Sequence, residues 1–448
     1  MTPLPFPVHV VKRVESFDYI SKTRFVSTAS YHHGYYDGIE REFRGFGRVD
    51  QLDSEEFGGA PTGAFPVAVN QEQAWSVPPV LTKTWFHLGL FLGVGQVSRQ
   101  MAHEYYREPG EGPNMRLDDT ILPTGLNPEE AREACRALSR SMLRREVYAL
   151  DGSKESDRPY VVAESNSAIR LLQPRASNLH CVFFAHARES LTLNYERKLY
   201  KAGHALRADP RVAHSITLAV DDYGNVLQSL SAAYGRRLED QSELLTDSDR
   251  AQQGKLLATL TENNYTNAIN EPAAYHTPGL AESCVYELVH LESIRRDSDR
   301  TGLLRFNELR HLVARAGDGR HDLPFEDVKA DGATGPGPYR RLIQAARTLY
   351  RSDSLDRLLP LGNLDPLALP GEKYSLALTP GLIAQVYQSR LPQPHPILGA
   401  DGGYVDLDGD GRWWVPSGFI FYSANATDDA ALELEHARRC LLYTSRCV

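Results

Sequence analysis

Tyr31-His-His-Gly-Tyr-Tyr-Asp-Gly-Ile-Glu-Arg-Glu-Phe-Arg-Gly-Phe-Gly47 is the stretch whose reading decides the fold. A Gly/Asp cluster from Gly34 to Gly38 predicts a turn between two arms. In the arm from Ile39 to Asp50, Glu40, Glu42, Arg44 and Arg48 fall on one face, and Ile39, Phe43 and Val49 on the other. A period of two with one charged face predicts a half-buried antiparallel strand. Gly45 and Gly47 share the apolar face, where a neighbouring aromatic ring can lie over them. The arm before the turn, Arg24 to Tyr31, and the alternation of Val8, Val10 and Val14 with His9 and Arg13 read as strands of the same sheet.

The same pattern extends along the chain. Gly, Pro and Asp clusters make loops of 51–80 and 107–128, with an apolar strand region between them from Thr82 to Gly93. Asn127-Pro-Glu-Glu130 opens a helix expected over 127–143. Asn is a good N-cap, Pro suits the first helical position and the acids complement the helix dipole. Short strands follow at Tyr160–Ala163, Ala168–Leu172, His180–His186, Leu191–Arg197, Ile216–Val220, Val226–Tyr234 and Val285–Leu291, separated by turn residues, which is the signature of extended antiparallel sheet. A charged, mobile loop is expected over 236–255. Further on, apolar spacing predicts helices at Pro338–Arg351, Thr379–Arg390 and Thr427–Arg439, with a hairpin from Gly402 to Ser423. The fold class is therefore mainly β, an extended antiparallel sheet of hairpins with several accessory helices, becoming α+β in the C-terminal third.

The chain has 448 residues, of which 42% are hydrophobic and 24% charged, so disorder of the whole is excluded. Its formal charge of −9 makes nucleic acid an unsuitable main partner. Cys135, Cys181, Cys284, Cys440 and Cys447 lack CxxC or zinc spacing and read as small apolar residues without a disulfide framework. The start carries no basic-then-apolar signal, and the longest near-apolar run, Leu88 to Gly95, is far short of the ~20 residues of a membrane helix.

Four constellations were candidates for chemistry. Asp406, Asp408 and Asp410 alternate as in the first half of a calcium loop, but position twelve is Ser417 and the flanks are strand-like, so a Gly-rich acidic hairpin turn is the preferred reading. His32 and His33, adjacent on a strand, point to opposite faces and cannot easily share a metal. Asp37, Glu40 and Glu42 could suggest a glycosidase pair, although acids beside Arg44 on a charged face are more simply ion-paired. Trp413 and Trp414 could stack a sugar; facing opposite ways, at most one lines any groove, and core packing is preferred. No nucleophile elbow, phosphate loop, dinucleotide fingerprint or zincin motif occurs. No catalytic or cofactor-binding residue is assigned.

Several segments together resemble one family: Leu4-Pro-Phe-Pro-Val-His-Val-Val-Lys-Arg-Val-Glu15, the Tyr31–Gly47 stretch, Pro128-Glu-Glu-Ala-Arg-Glu-Ala-Cys-Arg-Ala-Leu138 and Asp408-Gly-Asp-Gly-Arg-Trp-Trp-Val-Pro-Ser-Gly418. They are similar to the middle region of the B component of bacterial Tc (toxin complex) insecticidal toxins and of SpvB-like, RHS-containing virulence proteins, from about residue 4 to 439. Asp221-Asp-Tyr-Gly-Asn-Val-Leu227 and Tyr234-Gly-Arg236 look like a degenerate RHS/YD repeat closing one hairpin.

The resemblance implies a structural, non-catalytic wall segment of a β-shell that encapsulates and delivers a toxic C-terminal polypeptide. The implied partners are the A component, through a propeller absent from this chain, and the C component with its cargo; neither nucleic acid binding nor direct membrane insertion is implied. The implied localisation is extracellular within a toxin complex, with a cytoplasmic pool before release. On this reading residues 1–57 are the strand-rich end of the middle/N-terminal region, 58–300 the middle/C-terminal region with shell hairpins and the 127–143 helix, 301–439 a mixed helix and hairpin region, and 440–448 a non-native tail on a fragment. The rival readings are an extracellular calcium- or carbohydrate-binding β module using Asp406, Asp408 and Asp410, and a hydrolase using an acidic pair.

Overall fold

The computed structural model describes residues 4–20, 23–55, 77–93, 95–108, 116–240, 242–291, 302–316, 319–335, 337–391 and 397–420. The chain divides into two compact units. One comprises Met1–Ile216, Ala232–Leu256 and Asp297–Arg305; the other comprises Thr217–Ser231, Leu257–Arg296 and Phe306–Val448.

The first unit is a meander. It contains β1 (Arg13–Asp18), β2 (Thr23–Asp37), β3 (Glu42–Glu55), β4 (Val80–Phe86), β5 (Met142–Ala149), β6 (Val161–Gln173), β7 (Val182–Asn194), a small separate hairpin of β8 (Leu199–Ala202) and β9 (Ala205–Ala208), and the start of β10 (Arg211–Val220). Strands β1 to β7 pair antiparallel in chain order, and β7 then pairs with β10. Helices α1 (Pro128–Arg136) and α2 (Asp247–Gln253) belong to this unit.

The second unit holds most of β11 (Val226–Tyr234), then β12 (Leu257–Tyr265), the small hairpin β13 (Ile269–Glu271) and β14 (Ala274–His276), β15 (Leu280–Val289), β16 (Asp322–Leu323), β17 (Tyr339–Arg351), β18 (Leu369–Leu378) and β19 (Trp413–Phe419). Its main ladder runs β11-β12-β15-β17-β18-β19, with β16 joining β17 in parallel. Helices α3 (Phe306–Ala316) and α4 (Pro380–Val386) complete it.

The β2–β3 hairpin forms as the Tyr31–Gly47 stretch predicts, but its turn lies later. β2 continues through Gly34 to Asp37, and Arg41 takes a left-handed backbone at φ 54°. The register slips between Tyr35 and Tyr36, opposite Gly45, whose φ of 98° suits only glycine. The slip breaks the alternation, so Arg44 is buried rather than solvated. Gly47 is covered by a methionine rather than an aromatic ring: an added Cβ would lie 2.8 Å from Met101 Cε.

Helix α1 starts as expected. Asn127 Oδ1 accepts from the N–H groups of Glu129 and Glu130 at 3.0 and 2.9 Å, and Glu130 accepts from the Asn127 N–H at 3.1 Å, closing a capping box. It ends at Arg136, not 143, because a turn with Arg140 at φ 69° leads into β5 at Met142. Leu138 still packs with Ala134, Cys135, Val97 and Ile169.

Other expectations are corrected. The helix expected at 338–351 is strand β17, paired on both sides. Bulges opposite Ile343 and near Tyr350 absorb the residues that imitate helical spacing. Two pairs of short expected strands merge: 160–163 with 168–172 into β6, and 180–186 with 191–197 into β7. The stretch 236–255 contains α2, capped by Thr246 and Asp249. Helix α4 is capped by Thr379, which accepts from the Leu382 N–H at 3.2 Å. The helix expected at 427–439, the end of the 402–423 hairpin, Cys440 and Cys447 lie outside the described residues. Among those described, Cys135, Cys181 and Cys284 are free thiols, and no helix is long and apolar enough to cross a membrane.

Candidate functional site

One face of the first unit's sheet carries a row of directly opposed side chains across six strands: Arg48 on β3, Trp85 on β4, Arg144 on β5, Glu164 on β6, Leu191 on β7 and His214 on β10. Trp85, Arg144, Leu191 and His214 are 0–3% exposed. Charges this deep need partners, because an unpaired buried ion is strongly disfavoured. The partners come from residues 97–108 and 116–121, two arms of a segment laid across the strands.

Glu104 anchors the outgoing arm. Its carboxylate accepts from Arg48 Nη1 at 2.8 Å and Trp85 Nε1 at 3.1 Å, and meets His33 Nε2 at 2.6 Å. Burial alone would raise its pKa, but the bonds from Trp85 and Arg48 and the charge of His33 hold it below the usual carboxylate range. The Tyr105 ring meets Trp85 edge-on at 5.1 Å and lies under the Arg144 guanidinium at 4.9 Å. The Tyr106 N–H donates to Glu146 at 2.9 Å, and its carbonyl accepts from Arg144 at 3.2 Å. Arg144 also donates to Glu146 at 2.7 Å and Glu164 at 2.9 Å.

The returning arm is held in the same manner. Leu117 N–H donates to Glu164 at 3.3 Å, while Asn166 and Arg188 donate to the carbonyls of Asp118 and Asp119 at 2.7 and 3.1 Å. Asp119 joins the arms by accepting from the N–H groups of Val97 and Ser98 at 2.9 and 2.7 Å. Burial pushes the Glu164 carboxyl above the usual range, with Arg144 pulling the other way. At the end of the row, His214 Nδ1 lies 3.0 Å from Tyr234 Oη, which accepts from the Leu304 N–H at 2.9 Å. A cavity of about 480 Å³ remains between the two arms and strands β5 and β6. The arrangement can fasten a covering segment to a sheet; it assembles no nucleophile with a base.

The residues singled out in the sequence lie elsewhere or in structural roles. Asp37 accepts from Arg44 at 3.1 Å and from the N–H groups of Ile39 and Glu40; Glu40 pairs with Arg132 at 3.2 Å, and Glu42 with Arg136 at 3.3 Å. These acids dock α1 on the β2–β3 hairpin. His33 takes φ 58°, which breaks the alternation and brings the His32 and His33 rings to 6.4 Å instead of opposite faces. Asp406 accepts from the N–H groups of Asp410 and Gly411 at 3.2 and 3.1 Å, Asp408 from Arg347 at 2.7 Å and Asp410 from Arg412 at 2.6 Å. Among the described residues no group of three or more His, Cys, Asp or Glu side chains is placed to hold a metal ion. Trp413 and Trp414 enter different clusters, with Trp414 beneath the Arg347 guanidinium at 4.4 Å.

The charged row escaped the sequence reading, which left 107–128 as plain loop. Its signal was present: Glu164 and Asn166 follow Val162 at the same strand parity, and Arg144 and Glu146 share theirs with Tyr148. Polar residues on the apolar parity of a strand require buried partners.

Comparison with known proteins places this geometry. Residues 1–89 match the family model of the insecticide toxin TcdB middle/N-terminal region, and residues 133–277 that of the TcdB middle/C-terminal region; together they cover just over half of the chain. The fold is shared with the crystal structure of TcdB2-TccC3-Cdc42 (TM-score 0.67, 23% identity), 94% of this chain aligning with 18% of that one. TcdB2-TccC3 without its hypervariable C-terminal region is similar at TM-score 0.67 and 24% identity, with 94% and 19% covered. The Photorhabdus luminescens Tc holotoxin pore is similar at TM-score 0.66 and 24% identity, with 94% and 18% covered. The chain thus spans under a fifth of the solved chains it matches. No curated protein sequence matches it. The two family matches settle the assignment: the chain belongs to the family of Tc insecticidal toxin B-component middle regions.

Proposed function

We propose that this chain is a non-catalytic wall segment of a toxin-complex B component, part of a β-shell that encloses a toxic C-terminal polypeptide carried by a C component. The observation that carries the reading is the strand order: in both units the main ladder adds strand after strand along the chain without closing on itself. Such a meander builds an extensible wall, whereas a closed barrel would end it. The Asp221 turn fits this role. Its carboxylate accepts from the N–H groups of Tyr223 and Asn225, both at 2.8 Å, fastening one hairpin. In the complete toxin the wall meets the C component directly and the A component through a preceding propeller, and the complex acts outside the producing cell after a cytoplasmic stage.

Among the described residues β1 and β19 pair on one side only, and Val14 beside the β1 edge is 52% exposed. The chain expressed alone should therefore oligomerise or aggregate through these edges. Co-expression with the flanking B-component segments and a C component should give a soluble particle in which the C-terminal polypeptide resists added protease. Light scattering after size-exclusion chromatography, with a protease time course, tests both. A stable monomer of the chain alone, or a cargo digested as fast inside the particle as outside it, overturns the reading.

A further inference from the structure

We propose that the cavity between the two arms of the covering segment is a binding site for a small oxyanion-bearing molecule, held by Arg99 and Arg107. Arg99 and Arg107 line its wall, together with Arg116, whose charge bears on Glu164, and the acids Glu108, Asp118 and Glu164. The acids are tied back by arginines that do not line the cavity: Glu164 by Arg144 at 2.9 Å, Asp118 by Arg305 at 3.3 Å and Glu108 by Arg237 at 3.5 Å. Two further acids share those arginines, but each also takes neutral donors: Glu146 from Tyr148 and the Tyr106 N–H, Asp209 from the N–H groups of Arg237 and Leu238.

Arg99 and Arg107 are less engaged. Arg99 donates only to the Leu117 carbonyl, at 3.0 Å, and Arg107 is exposed with no hydrogen bond or ion pair among the described residues. Guanidinium forks match carboxylate and phosphate oxygens in pairs. A volume of about 480 Å³ lies in the range of small-molecule sites. The chemistry shared by the candidate ligands is the oxyanion. The wall also includes the apolar Ala102, Leu117 and Leu143, so a molecule with a short carbon frame fits better than a bare ion.

The test uses the soluble particle described above, titrated by calorimetry at low ionic strength with inorganic phosphate in one arm and citrate in another, against chloride at matched ionic strength. Saturable binding is expected in at least one arm, phosphate alone marking a phosphate ester and citrate a polycarboxylate as the natural class. Arg107→Gln should weaken it about tenfold while leaving the melting temperature of the ligand-free particle unchanged, because Arg107 makes no hydrogen bond or ion pair among the described residues. Arg412→Gln, on the Asp410 turn, should leave binding as in the parent. Absence of saturable binding in both arms, or equal binding by Arg107→Gln, overturns the site. Either result leaves the wall reading untouched, since that rests on particle assembly and cargo protection.

Discussion

Both units place an arginine over an aromatic ring and between two acids, but they bury it to different depths. In the first unit Arg144 lies over Tyr105 and reaches Glu146 and Glu164; the three charged side chains are 3%, 1% and 14% exposed. In the second, Arg347 lies over Trp414 and reaches Glu282 and Asp408, at 10%, 14% and 38%. The first trio is closed over by residues 97–108 and 116–121, whose backbone supplies further hydrogen bonds. The second takes one acid from the Asp406–Gly411 turn and stays half open. The same pairing therefore carries different energetic weight. A deep ion left without its partner keeps its desolvation penalty, whereas a half-open one rehydrates.

The largest expected effect tests this contrast directly. Arg144→Leu leaves Glu146 and Glu164 buried without their cation and should destabilise the particle by about 3–5 kcal/mol. Arg347→Leu, whose partner Asp408 can turn to water, should cost about 1–2 kcal/mol. Denaturant unfolding of both variants measures the difference, and equal losses would break the comparison.

A second effect, on the order of 3 kcal/mol, depends on pH. His87 is 1% exposed, and its Nδ1 accepts from the Gly89 N–H at 2.9 Å. Burial pushes its pKa from 6.5 down to about 4. Because the folded value is the lower one, the unfolded chain binds the extra proton first. Stability is intact above pH 6.5 and falls as the pH drops from 6.5 toward 4. His87→Gln should remove most of that slope in melting temperature against pH; an unchanged slope would assign it to other groups.

Smaller effects sharpen the contrast between local and tertiary control. Asn127→Ala removes a capping box and should cost about 1 kcal/mol, read by the same unfolding experiment, with the β5–β6 core unaffected. Asp410→Asn should change stability by less than about 1 kcal/mol, since Asp410 and Arg412 are both 37% exposed. Parent and variant should both show a melting temperature insensitive to calcium. A rise on adding calcium in the parent alone would make the Asp406 turn a metal site after all.

Much of the fold was legible in short stretches of sequence. The cap at Asn127 and the Thr379 start of α4 could be read because each is complete within about five residues: a side-chain oxygen satisfies a neighbouring N–H whatever surrounds it. Single residues in long strands were harder to place. Glycine at position 45 permits a left-handed backbone and a bulge, but nothing nearby says whether the bulge is used. Once it is used, every side chain beyond it changes face, which is why Arg44 is buried where alternation alone would leave it in water.

The sequence by itself determined that the chain is a meander of antiparallel hairpins with locally capped helices, and its quoted segments already pointed to the toxin-complex family. Only the tertiary structure decided that 338–351 is a strand, since partners on both sides outweigh an apolar spacing that also suits a helix. Only it decided that residues 97–108 and 116–121 close over a row of side chains, buried charges among them, gathered from six strands. Those side chains are up to 166 positions apart in sequence, from Arg48 to His214. Local propensity acts over a few residues, whereas the desolvation that forces buried charges to find partners acts only once the strands are side by side.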